Sequence, residues 1–167
     1  MALDDALFCS LPKRLELAVG APVLLMHNVA VEHGLMNGSQ GTVVDFVYLP
    51  GCHPTHENPA HCLPAMVVVD FPGYTGPAFF SEPSRRTWVP LLPRTTTSEE
   101  DAMVSRTQFP LCLAWALTPW KAQGMTLAKV IVKLSHACAK PGVLFVALTR
   151  VRHPDCLLLE DDFPTFS

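Results

Sequence analysis

The sequence predicts a small β-barrel followed by a parallel α/β segment, an α/β-plus-β chain. Three observations carry this expectation. Short β-branched and apolar runs alternate with Gly and Pro turn signals from Leu15 to about residue 92, the spacing of a small barrel. From Leu111 onward, apolar runs alternate instead with helix-forming stretches, the pattern of strands joined by helical crossovers. A polar stretch, Arg94 to Arg106, lies between the two. A chain of 167 residues allows one ordinary domain or two small ones. With 49% of its residues apolar and only 16% charged, it can bury a core and is not disordered by composition.

The elements come in order along the chain. Residues 1–14 read as a lead-in, in which Lys13-Arg14 is a surface pair within reach of phosphate. The barrel is expected over 15–105. Val19-Gly20-Ala21-Pro22 turns the chain into a strand at 23–28, and Asn37-Gly38 and Gln40-Gly41 are turn signals. Further strands are expected at 42–48, 65–71 and 87–92. Between two of them, in the loop 50–64, lie Cys52, His53, His56, His61 and Cys62. Their spacing is not that of a standard zinc finger, and Pro54 and Pro59 restrict how the loop folds back, so a polar hairpin loop is expected rather than a metal site. Residues 94–106 read as a surface loop or hairpin, with Ser98 as an alternative helix start.

The second segment, 106–167, is expected to open with a buried strand over 111–117. Thr118 can then cap a short helix at 119–125, with Pro119 at its first position, where a missing N–H costs nothing. A strand at 129–134, a helix over 142–151 and a strand at 156–159 complete a parallel sheet with two right-handed crossovers. Ligands of such sheets bind at the carboxyl ends of the strands, where this chain delivers Lys121, Gln123 and Gly124. Three strands and two helices leave part of a parallel sheet uncovered, so an exposed apolar face is expected.

The net charge of −3 excludes a wholly basic nucleic-acid binder, but residues 85–152 hold ten of the twelve Lys and Arg and only three acids. Such a local excess suits a phosphate-bearing partner or a solvated basic face. Arg85, Arg86 and Arg106 are the candidate phosphate contacts of this half. The six cysteines form no CxxC pair, and Cys112 and Cys156 lie in apolar runs as small buried hydrophobes. The acidic start, Met-Ala-Leu-Asp-Asp, has no signal-peptide core, and no apolar run approaches membrane-spanning length. An intracellular, reducing setting is expected, in the nucleus, cytoplasm or mitochondrion, with no membrane partner.

Three stretches carry a family resemblance. Thr118-Pro119-Trp120-Lys121-Ala122-Gln123-Gly124-Met125-Thr126 resembles motif V of the RecD/Pif-type DNA helicases of superfamily 1B, Thr-x-His/Asn-Lys-Ser/Ala-Gln-Gly-x-Thr. Leu144-Phe145-Val146-Ala147-Leu148-Thr149-Arg150-Val151-Arg152 resembles motif VI, Tyr-Val-Ala-Leu-Ser/Thr-Arg. Residues 19–28 with 34–41 resemble the start of the small barrel inserted in these helicases. The matches occur in the family's order and span roughly residues 15 to 160.

The resemblance implies a Src-homology-3-like barrel, domain 2B, followed by the last third of a RecA-like domain, 2A. It implies backbone roles for Gly34, Gly38 and Gly41. It implies that Arg150 is an arginine finger reaching the γ-phosphate of ATP, although a cation near a helix C-terminus is also favourable in its own right. Gln123 and Gly124 would line the interdomain cleft, and Lys121 would meet phosphate of nucleotide or of DNA. Thr118 would cap first and touch the DNA backbone second. Trp120 departs from the family's His or Asn, and its indole either stacks on a base or packs. The implied partners are single-stranded DNA and a preceding RecA-like domain, in cis or in trans. That domain would hold ATP and Mg²⁺, since no Gly-x-x-x-x-Gly-Lys-Ser/Thr stretch occurs here. The expectation is the C-terminal part of an ATP-dependent 5′-to-3′ DNA helicase, inactive as an ATPase alone. The alternatives are a non-enzymatic module binding nucleic acid or protein, and a truncated product with no function of its own.

Overall fold

The computed structural model describes residues 5–8, 11–52, 63–98, 100–133 and 142–160. The chain divides into two compact units, residues 1–115 and 116–167. Of the loop at 52–62 only Cys52 is described, so the metal question there falls outside the described residues.

The first unit is built on a five-stranded antiparallel sheet. Its strands are β1 (Pro22–Leu25), β2 (Gln40–Val47), β3 (Met66–Asp70), β4 (Trp88–Leu91) and β7 (Leu111–Leu113), in the spatial order β4-β3-β2-β1-β7. Between β4 and β7 the chain makes a separate hairpin of β5 (Arg94–Thr97) and β6 (Ser105–Gln108). The hairpin reading of the polar stretch is therefore the one realised. Its strands are joined across by Thr95 and Thr107, whose hydroxyls lie 2.7 Å apart.

Period-2 alternation decides which side chains form the core. Val23 and Leu25 of β1, Val67 and Val69 of β3, Val89 and Leu91 of β4 and Leu111 of β7 point to one side, where Leu35, Phe71 and Phe109 join them. On β2 the alternation breaks. Val43 is opposite Val69, but Asp45 is opposite Val68, so Val44 is an extra, bulged residue. The bulge reverses the parity of the remainder of the strand. Phe46, not Asp45, then packs against the core, and Asp45 stays exposed.

Two glycines are fixed by close approach. A Cβ on Gly41 would lie 2.5 Å from Val69 Cγ1 and 2.8 Å from the Asp70 carbonyl oxygen. Gly34 has φ +81°, and a Cβ there would lie 2.4 Å from the Gly73 carbonyl oxygen. The turn at 30–35 thus presses on the turn at 72–75, a contact closed by the Thr75 amide donating to the His33 carbonyl at 3.1 Å.

Arg106 on β6 is a clamp, which corrects its reading as a phosphate contact. Its side chain is only 13% exposed. One guanidinium nitrogen donates to Asp5 Oδ1 and to the Leu11 carbonyl at 2.6 Å, and the group lies 4.1 Å over the Phe8 ring. The lead-in is held down by it, with Phe8 and Leu11 fully buried.

The run 111–117 differs from expectation. Only Leu111–Leu113 is strand, and it pairs antiparallel with β1, Val23 opposite Leu113. It belongs to the first unit's sheet and starts no parallel sheet. Trp115 just beyond is 73% exposed, so the apolar run does not stay buried.

In the second unit the expected helix at 119–125 is replaced by turns. Pro119 lacks an N–H and Gly124 has φ +81°, and the four residues between them are too few to nucleate a helix. Then come β8 (Val130–Val132), α1 (Val143–Leu148) and β9 (Leu157–Leu159), with β8 and β9 paired parallel. Among the described residues the unit therefore shows one strand–helix–strand crossover, where two were expected. The helix is shorter than the expected 142–151: Thr149 still makes the helical bond to the Phe145 carbonyl at 3.0 Å, and the Arg150 amide then bonds the Ala147 carbonyl, three residues back, at 3.4 Å, a tightened last turn.

Parallel strands are normally covered on both faces. Here Ile131 and Leu158, register partners across the pair, are 69% and 60% exposed. The chain should therefore bind a hydrophobic reporter dye, and Ile131→Thr with Leu158→Thr should remove most of that signal; equal dye fluorescence in the variant would count against this. Gly34→Ala should cost about 1–3 kcal/mol through its left-handed backbone, aggravated by the clash with Gly73, seen as a lowered urea midpoint.

Candidate functional site

The second unit brings two of the sequence-defined stretches together. At 118–124 the chain folds back on itself. The Ala122 amide donates to the Thr118 carbonyl at 3.1 Å and the Gln123 amide to the Trp120 carbonyl at 3.3 Å. Thr118 does cap, since its hydroxyl accepts from the Lys121 amide at 3.4 Å, although it caps a turn and not a helix. Ala122 is the buried anchor of the segment, while Thr118, Lys121, Gln123 and Gly124 are exposed. Trp120 is 58% exposed, so its indole is not consumed by packing.

Arg150 reaches this turn from the far end of α1. Its Nε donates to the Val146 carbonyl at 2.7 Å, one terminal nitrogen to the Met125 carbonyl at 3.2 Å and the other to the Thr149 hydroxyl at 2.8 Å. The backbone seals the same junction. The Leu127 amide donates to the Arg150 carbonyl at 2.8 Å, and Leu127 and Val151 form a parallel bridge. Arg150 is thus locked beside the residue after Gly124. A guanidinium has five N–H donors, and these three bonds leave two for an anion. Gln123, Gly124 and Arg150 therefore belong to one local structure, built from residues some twenty-five positions apart.

Three arginines of the first unit besides Arg106 are already engaged with the protein. Arg85 lies 4.9 Å over the Trp88 ring and 3.9 Å from Glu82. Arg86 lies 5.8 Å over the Tyr74 ring and donates to the Thr75 carbonyl at 3.4 Å. Arg14 of the lead-in pairs with Glu16 on the surface, and the Lys13 amide binds Asp5.

His27, after β1, is not singled out by any sequence pattern. Its Nε2 is buried and makes no hydrogen bond among the described residues. Burial, and then the positive charge of Arg94, lower its pKa below the usual imidazole value. No residue pattern announces this, because it depends on which hairpin the chain brings alongside.

Comparison with known proteins places these stretches in context. The model of the DNA helicase Pif1 2B domain matches residues 7–46. The ATP-dependent DNA helicase PIF6 of Trypanosoma brucei brucei is 35% identical over 151 residues, which cover 90% of this chain and 17% of that protein. The crystal structure of Pif1 helicase from Candida albicans superposes with a TM-score of 0.63 at 32% identity, over 89% of this chain and 33% of that one. Pif1 helicase from Bacteroides in complex with ADP-AlF3 and single-stranded DNA superposes with a TM-score of 0.60 at 27% identity, over 93% of this chain and 32% of that one. The chain spans only about a fifth of the length of the curated relatives it matches.

The His27 environment has a pH consequence. Its folded pKa is depressed, so the unfolded chain takes up the proton first. Stability is full above pH 6.5, the unperturbed value, and falls as the pH drops from there towards the lowered folded value. Urea midpoints measured across this window should decline for the wild type and stay flatter for His27→Gln.

Proposed function

Taking as premise that this chain corresponds to the C-terminal region of the Pif1-type superfamily 1B helicases, we propose that it supplies one side of a nucleotide cleft and part of a track for single-stranded DNA. The observation that carries the proposal is the bond from the Arg150 guanidinium to the Met125 carbonyl at 3.2 Å. It fixes a cation beside the Gln123-Gly124 turn with donors to spare.

In this reading the first unit is the counterpart of the 2B barrel, and the second is the closing part of the RecA-like 2A domain. Arg150 acts as the arginine finger on a γ-phosphate. Its three bonds to backbone and hydroxyl oxygens hold the guanidinium in place before the nucleotide arrives, so little ordering remains to be done in the transition state. Gln123 and Gly124 carry the turn that meets the nucleotide. Thr118 and Lys121 face the DNA backbone, and Trp120 offers a ring face for a base. Lys121 suits phosphate of either ligand.

These residues fit an anionic ligand but do not constitute a full nucleotide site. The chain has no Gly-x-x-x-x-Gly-Lys-Ser/Thr stretch to cradle the phosphates. ATP and Mg²⁺ would be held by a separate RecA-like domain, in cis or in trans, and Mg²⁺ there would neutralise the developing phosphate charge. The 5′-to-3′ direction of movement would belong to that assembly.

The test is a chimera in which this chain replaces the matching region of Candida albicans Pif1. The chain alone should not turn over ATP, and the chimera should do so in response to single-stranded DNA. Arg150→Ala in the chimera should lower turnover by about 10³-fold or more, with DNA affinity within about threefold. Equal loss of hydrolysis and DNA binding would remove the finger role. A chimera that binds DNA and never hydrolyses ATP would favour a non-enzymatic binding module, a reading to which the exposed Trp120 also lends itself.

A further inference from the structure

The β5–β6 hairpin has two unlike faces. Its register sets Thr95 opposite Thr107 and Thr97 opposite Ser105. These four hydroxyl-bearing residues share one face, since side chains two apart on a strand point the same way, and all four are exposed. The other face carries Arg94, Thr96, Arg106 and Gln108. Thr96, Arg106 and Gln108 are half-buried there, and Arg106 clamps the lead-in from that side. Among the described residues β5 pairs with β6 alone, so its outer edge is open.

We propose that Thr97 is a phosphorylation site for an acidophilic serine/threonine kinase, one that reads carboxylates following the acceptor. The proposal concerns the first unit and does not rest on the function proposed above. Charge narrows the choice first. Glu100 and Asp101 stand three and four positions after Thr97, and both are exposed to a cationic kinase pocket. At the third position, Thr95 has Ser98, Ser105 has Gln108 and Thr107 has Pro110. Thr96 and Ser98 do have an acid three positions on, and on sequence alone Ser98, in Ser-Glu-Glu-Asp, is the better acceptor. The fold removes both. Ser98 is 8% exposed, its hydroxyl accepts from the Glu100 amide at 3.3 Å, and its own amide is bonded to the Val104 carbonyl at 2.8 Å. Thr96 lies on the inner face opposite Arg106. Thr97 remains, exposed at the end of an extended strand with a free edge, the backbone shape in which a kinase takes its acceptor. Arg94, three positions before Thr97, is what a basophilic kinase would read. It belongs to the opposite face, and its charge is felt at His27, after β1.

In the transfer, the Thr97 hydroxyl oxygen bonds to the γ-phosphorus of the kinase's ATP as the bond to the β-phosphate oxygen breaks. ADP leaves, and the hydroxyl proton passes to the kinase's catalytic carboxylate. The phosphate brings about −1.5 to −2 charges at pH 7. Its register partner, Ser105, offers no cation, and Glu100 and Asp101 are close in the chain. Like-charge repulsion then loosens the hairpin at its tip end.

The test is incubation of the full chain with an acidophilic kinase of the casein kinase 2 type, ATP and Mg²⁺, followed by intact mass and peptide mapping. Protein kinase A serves as the basophilic comparison. One phosphate should appear, on Thr97. Thr97→Val should abolish it and Thr97→Ser restore it. Glu100→Gln with Asp101→Asn should slow incorporation at least about tenfold, and Ser98→Ala should change it by less than about twofold. Amide hydrogen exchange in 94–108 should quicken on phosphorylation, with β1 to β3 unchanged. Circular dichroism shows which variants are folded, and if Thr97→Val is not, the mapped position in the wild type and in Thr97→Ser decides. No incorporation, a phosphate mapped to Thr96, Ser98 or any other residue, faster incorporation by protein kinase A, or an unchanged rate in the folded Glu100/Asp101 variant would each overturn the proposal. Unchanged exchange in the phosphorylated hairpin would overturn its loosening.

Discussion

The first unit depends on the pairing of β1 with β7. β1 is flanked by β2 on one side and β7 on the other, so a strand from the start of the unit is bound by one from its end, Val23 against Leu113. Their pairing closes a loop containing everything between them, and the entropy of closing a long loop rises only slowly with its length. What offsets it is the row of apolar residues that the pairing completes. Leu111 is fully buried and sits opposite Leu25, also fully buried. The Met26 amide then reaches the Pro110 carbonyl at 2.8 Å and the Ala114 amide the Pro22 carbonyl at 2.9 Å, so the junction is bonded beyond both ends of the strand.

Much of this unit was legible in the residues, for a local reason. Alternation in 42–48, 65–71 and 87–92 announced β2, β3 and β4, and the pressure on Gly34 and Gly41 is the kind of constraint that glycine signals. The fate of 111–117 was not legible. A continuous apolar run looks the same whether its neighbours are parallel or antiparallel, and only the partner strand, distant in sequence, decides. The bulge at Val44 was hidden for a related reason, because both registers place a valine near the core until β3 fixes the count. At the candidate site, the residues of the two motif-like stretches were named in advance, but their junction through the Met125 carbonyl was not. Backbone carbonyls carry no sequence signature.

The arginines show how little a residue type says without its surroundings. Four of them read alike as basic residues in one half of the chain. Arg106 is buried under the lead-in with an acid, a carbonyl and a phenyl ring as partners. Arg85 and Arg86 lie flat on aromatic rings. Arg150 is tied mainly to carbonyl oxygens, which orient a guanidinium without neutralising it. Desolvation and pairing remove the first from any electrostatic role outside the protein, while the other three keep their charge at the surface or close to it.

The parallel pair of the second unit has a bearing on how the molecule is made. Among the described residues β8 has no strand partner except β9, and parallel neighbours cannot be joined by a tight turn. As the polypeptide leaves the ribosome at about 5–20 residues per second, Val130–Val132 emerges well before Leu157–Leu159. In that interval Val130–Val132, with Ile131 at its centre, precedes the strand it pairs with in the finished fold. The first unit, whose last strand ends at Leu113, has by then been synthesised in full. The nascent chain thus passes through a stage in which the first unit has been synthesised and β8 still lacks β9.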